Sequence, residues 1–100
     1  MAIRVIIEFQ AKPGTRAELA GRLESIMERL GPNIPGFRGS VLHEALDSPD
    51  VLVEIADWDS ADAQAAAVEQ AVDSGVYAPV FELVAAPPRA VRVRQLDDRV

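Results

Sequence analysis

The sequence predicts an α+β fold, a four-stranded antiparallel sheet with two helices on one face. Two observations carry this. Stretches of period-two alternation rich in Ile, Val and Phe trade places with stretches of helical period, in the order β-α-β-β-α-β. Turn-forming residues mark the junctions, at Lys12-Pro13-Gly14, Gly31-Pro32-Asn33, Asp47-Ser48-Pro49-Asp50, Asp73-Ser74-Gly75 and Ala85-Ala86-Pro87-Pro88. That order is the split βαβ pattern of ferredoxin-like folds. The 100 residues are expected to make one domain over 1–100, with its core over about 2–96.

The first strand is predicted over Ala2 to Gln10, where Ile3, Val5, Ile7 and Phe9 alternate with Arg4, Ile6, Glu8 and Gln10. Thr15 and Glu18 have capping-box spacing. Leu19, Leu23, Ile26, Met27 and Leu30 then recur at helical spacing, so a helix is expected from about Arg16 to Leu30. Ile34-Pro35-Gly36 leads into a second strand over about Phe37 to Leu46, and Val51 to Trp58 is a third, hairpin-paired with it. Asp59 or Ser60 caps a second helix that runs to about Val72. Val76 to Leu83 reads as a short helix or an irregular cover, and Arg89 to Leu96 as the last strand.

Both faces of this sheet carry apolar side chains. Ile6 opposes Ile7 and Phe9 in facing, and Val53 and Ile55 oppose Leu52 and Trp58. Two helices cover one face only. A second sheet from another copy is the simplest cover for the other, which predicts a homodimer built as a dimeric α/β barrel.

Composition narrows the chemistry. The chain has no Cys and one His, so thiolate catalysis, cysteine-ligated metals and an all-histidine metal site within one chain are excluded. A mixed His–carboxylate site has no supporting spacing, and no metal is expected. A net charge of −6 with scattered basic residues argues against nucleic acid as a partner. No apolar run approaches membrane-spanning length, and the N-terminal residues lack a secretory pattern, so the chain reads as cytoplasmic with no membrane partner.

Three segments, in this order and spacing, resemble the antibiotic-biosynthesis-monooxygenase family. They are Lys12-Pro13-Gly14 opening a helix after an N-terminal strand, Ile34-Pro35-Gly36-Phe37 entering the hairpin, and Asp57-Trp58-Asp59-Ser60-Ala61-Asp62-Ala63 at the junction of third strand and second helix. The resemblance implies cofactor-free oxidation of a small aromatic substrate, a polyphenol, quinol or anthrone, by O2. In that chemistry the deprotonated substrate is itself the reductant, and the protein binds it, removes a proton, stabilises the anion and excludes water. The weighed alternative is a non-catalytic or regulatory protein binding a small hydrophobic ligand on the same barrel. A haem-degrading group of this fold is also similar at Trp58. It uses an asparagine where this chain has Ile7, and an axial histidine on the second helix where this chain has Ala65, Ala66, Ala67 and Val68, so haem is the weaker reading.

The candidate site follows. Glu54 lies four residues before Trp58 on one strand, so the two share a face. A carboxylate in an apolar strand suits a general base. The resemblance adds that some family oxygenases place a polar residue here against the substrate oxygen. His43, with an intrinsic pKa near neutrality, is the second candidate base. Trp58 and Tyr77 are candidates to hold the aromatic ring, with Ile7 and Phe9 as further apolar walls. Each has a plainer reading, as packed or solvated structure. Arg92 and Arg94 share a face of the last strand and are expected to pair with Glu8 or with a partner chain's carboxylates.

Overall fold

The computed structural model describes residues 2–96. The order along the chain is β1 (Ile3–Gln10), α1 (Arg16–Leu30), a 3-10 turn (Gly31–Asn33), β2 (Phe37–Glu44), β3 (Val51–Trp58), α2 (Ala61–Ser74), a single-turn α3 (Ala78–Phe81) and β4 (Arg89–Val93). The sheet order is β2-β3-β1-β4, every neighbour antiparallel. Each helix connection skips over one strand, as the ferredoxin-like pattern requires.

Odd-numbered residues of β1 and even-numbered residues of β3 turn toward the helices. Val5, Phe9, Leu52, Ala56 and Trp58 are buried there. The core falls into two adjoining clusters. In the larger one Phe9, Ala11 and Leu52 meet Leu19, Leu23 and Ile26 of α1, with Val80 and Leu83 from the segment around α3. In the smaller one Val5, Ala56 and Trp58 meet Phe37, Ile34, Ala63 and Ala67. Ile7 packs against both.

The two long helices are held differently. Helix α1 buries three side chains and is tied by two arginines. Arg16 donates to the carbonyls of Ala45, Ser48 and Val51 and pairs with Glu44 at 3.1 Å, fixing the helix start to the β2–β3 turn. Arg22 pairs with Glu18 and Glu82 and donates to the Pro79 carbonyl at 2.6 Å. Helix α2 has no fully buried residue. It is held by good ends: Ser60 Oγ accepts from the Ala63 amide at 3.1 Å, and Gly75 closes the helix in the left-handed conformation.

The Thr15–Glu18 capping box does not form. The Thr15 hydroxyl turns back and donates to the Lys12 carbonyl at 2.8 Å, where it closes the Lys12-Pro13-Gly14 turn, and Glu18 is taken by Arg22. Strand ends also differ from the alternation. β2 stops at Glu44, where Arg16 takes the Ala45 carbonyl, and β4 stops at Val93, whose pairing with Arg4 ends the ladder to β1.

Entry into β2 is set by one close approach. Gly36 has φ +80°, and a Cβ there would stand 2.5 Å from that of Ala63, while its carbonyl accepts from the Asp59 amide at 2.8 Å. The turn of the second motif thus rests on the helix start of the third. Just beyond it the ladder shifts register between Phe37 and Gly39, a bulge at Arg38 that Gly39 accommodates at φ +123°.

Candidate active site

Glu54 is the buried charged residue among those described, 8% exposed. Strand β3 places it: its neighbours on the helix face are Leu52 and Ala56, and its cross-strand partners are Leu42 and Ile7. No hydrogen bond or ion pair to a described residue satisfies its carboxyl group. Burial raises its pKa above the ordinary 4.5, since the charged form loses water without gaining a partner. The group opens into a cleft of about 430 Å³ between α1 and the edge strand β2. Leu23, Met27 and Leu42 give the cleft apolar walls, with Ser40, Glu24 and Glu28 as its other polar lining.

Tyr77 comes near the same carboxyl group. It packs against the larger core cluster, and its phenol is pushed up to about 12 by burial first and by the nearby Glu54 charge second. At neutral pH it is a hydroxyl, able to donate. Tyr77 therefore lies within electrostatic reach of Glu54, without a hydrogen bond to it and outside the lining of the cleft.

The other predicted site residues lie elsewhere. His43 is exposed on the opposite face of the sheet. It opposes Val53, and the neighbouring pair is Leu42 with Glu54, so the pleat points His43 away from the cleft. There it borders a shallow hollow of about 220 Å³ with Arg4, Val41, Ile55 and Asp57. The expectation that His43 shares a site with Glu54 is corrected accordingly. Trp58 shares the face of Glu54 as predicted, but it is a core residue, with its ring centroid 5.1 Å from that of Phe37 at a tilt of 59°. Phe9 is likewise core, and Ile7 is half-buried between the two clusters. Arg92 opposes Val5 and so lies on the helix side, whereas Glu8 points to the other face opposite Arg89. The expected Arg92–Glu8 pairing is thereby excluded, because adjacent strands keep their faces in step.

The sequence reading missed the α1 side of the cleft. Leu23 and Met27 repeat at four residues, as do Glu24 and Glu28, so one edge of the helix offers an apolar pair and an acidic pair side by side. Among the described residues no group of three or more His, Asp or Glu side chains gathers where a metal ion would sit, and no helix is long and apolar enough to cross a membrane.

Residues 2–74 match the family model for antibiotic biosynthesis monooxygenase. Among solved structures, the fold resembles that of a putative antibiotic biosynthesis monooxygenase from Bordetella bronchiseptica, with TM-score 0.83 and 22% identity over 95% of this chain and 97% of that one. It also resembles a conserved protein from Methanosarcina mazei, with TM-score 0.80 and 18% identity over 96% and 94% of the two chains. A third is SnoaB, a cofactor-independent oxygenase from Streptomyces nogalater, with TM-score 0.78 and 19% identity over 96% and 94%. No curated protein matches the chain in sequence.

Proposed function

The chain belongs to the antibiotic biosynthesis monooxygenase family, and from that premise we propose that it oxidises a small electron-rich aromatic, a polyphenol, quinol or anthrone, with O2 and without a cofactor, using Glu54 as general base. The observation that supports this most is the state of Glu54: buried, unpaired, raised in pKa and open to an apolar-walled cleft. Such a carboxylate takes a proton more readily than an exposed one. SnoaB, an oxygenase that works without a cofactor, shares the fold.

In this reaction Glu54 removes one proton from the bound substrate. The delocalised anion gives an electron to O2, and the two radicals combine to a peroxide on the ring carbon. Glu54 returns its proton to the terminal peroxide oxygen. Loss of water across the C–H and O–OH bonds then leaves a carbonyl, so one oxygen atom enters the product and the other departs in water with two substrate hydrogens. Leu23, Met27 and Leu42 hold the ring, in place of the Trp58 and Phe9 that the sequence suggested. Tyr77, kept protonated, offers a hydrogen-bond donor near Glu54.

The same proposal includes a homodimer. Across the uncovered face, Val41 opposes Ile55, Ile55 opposes Ile6, and Ile6 opposes Val91, an aliphatic row that crosses all four strands. Val41 is 60% and Val91 48% exposed in the single chain. A second sheet is the cover of matching shape.

Oxygen uptake with a panel of hydroquinones and anthrones tests the activity. Turnover is expected, and Glu54→Gln is expected to lower it by about 10²–10⁴-fold while the fold persists. Full activity in that variant would remove Glu54 from the chemistry. Saturable binding without uptake in the wild type would favour a ligand-binding protein.

A further inference from the structure

Helix α1 treats its charges unevenly. On one edge Glu18 is neutralised by Arg22, which also holds Glu82. On the cleft edge Glu24 and Glu28 stand at i and i+4, both exposed, without an ion pair among the described residues. Like charges at that spacing weaken a helix. The cleft they border has no Lys, Arg or His in its lining, and its remaining polar groups are Ser40 and Glu54. Glu54 is more than nine-tenths buried, has no partner among the described residues and lines the same space, so the acidic pair flanks a cavity that already holds a carboxyl group open to it.

We infer that the cleft selects its aromatic ligand by charge, with Glu24 and Glu28 rejecting aryl carboxylates and admitting uncharged or ammonium-bearing rings. The inference rests on the aromatic-substrate reading above and names its substrate class. Two carboxylates within a few ångströms of an incoming charge, in largely aqueous surroundings, change its affinity by about tenfold together. The selection weakens as salt rises, because both groups are solvent-exposed.

Three ligands with one catechol ring separate charge from shape: methylcatechol is uncharged, dopamine carries an ammonium, and dihydroxyphenylacetate carries a carboxylate. Titration calorimetry at low ionic strength is expected to show dopamine binding most tightly and methylcatechol binding about tenfold more tightly than dihydroxyphenylacetate. In the Glu24→Gln/Glu28→Gln variant that ratio is expected to fall to within about threefold, with Glu28→Gln alone intermediate. Equal affinities in the wild type, or a preference that survives the double substitution, overturns the inference whether or not oxygen is consumed. Preferential binding without oxygen uptake from any of the three leaves charge selection standing and removes the monooxygenase reading. Absence of saturable binding by all three overturns both.

Discussion

Along β3, Leu52, Glu54, Ala56 and Trp58 lie under the helices, none more than 8% exposed, while Val51, Val53, Ile55 and Asp57 remain half-exposed on the other side. The two faces also treat charge in opposite ways. On the uncovered face Asp57 is paired with Arg4 at 2.9 Å. On the covered face Glu54 has no such partner. The side that one chain finishes packing keeps a carboxyl group with no partner among the described residues, and on the side left unfinished Asp57 has one. The proposed chemistry draws on the first arrangement, since burial without a protein partner raises the pKa of the acid and suits it to act as a base. The proposed assembly draws on the second, since its aliphatic row has no cover within one chain.

The comparison is broken most directly at Trp58. Trp58→Ala removes a buried ring beside Phe37 and is expected to cost about 3–5 kcal/mol in urea unfolding. Trp58→Phe is expected to cost much less and to leave ligand affinity unchanged, because the ring packs in the core. A selective loss of affinity in Trp58→Phe would return it to the site.

Next in size is Ile55→Asp, centred in the aliphatic row of the uncovered face. An uncompensated charge there is expected to prevent association and to yield monomer or aggregate in sedimentation velocity. A wild-type protein that sediments as a stable monomer at micromolar concentration would show that the face needs no cover.

A smaller effect, opposite in sign, is expected at Glu54. Its folded pKa is raised, so the folded state binds the extra proton. The stability it contributes is fully present below the ordinary value of 4.5 and is lost as pH rises through the folded value. Glu54→Gln should therefore melt higher than the wild type at neutral pH, and the gap should close as pH falls toward 4.5. A gap that widens on acidification would mean that the carboxylate has a partner in solution. The smallest effect is expected for Arg4→Ala, whose ion pair is exposed in the single chain: no measurable change in melting of a monomeric variant such as Ile55→Asp. A clear loss there would mean that the uncovered face is stabilised by charge and not by apolar cover.

Most of the fold was legible from local signals. β1, α1 and β3 carry long unambiguous periods, and Ser60 and Gly75 mark the ends of α2 by their backbone chemistry. The site was only half legible. Glu54 and Trp58 were correctly assigned to one face because β3 runs without interruption. His43 was named as a base without a face, and the bulge at Arg38 is what decides its face. Counting alternate residues from Phe37, which faces the helices, assigns His43 to the same side; the extra residue reverses the count, and Gly39 onward points the other way. The role of α1 was hidden for a different reason. A glutamate on the exposed edge of a helix has the same sequence signature whether it faces bulk water or the mouth of a cleft, and tertiary packing alone separates the two. Tyr77 was named from an apolar stretch, and its electrostatic reach to Glu54 joins parts of the chain that no periodicity connects.

Gly36 and Ala63 have a consequence for how far this sequence is free to drift. A residue at position 36 must tolerate a left-handed backbone, and it must also leave room for the methyl group of Ala63. Shortening position 63 to glycine relieves the collision and leaves the backbone strain, so no single second change restores an enlarged residue 36. The two letters, far apart in the text, therefore constrain each other, and a helix start seated on the hairpin leaves almost no alternative spelling there.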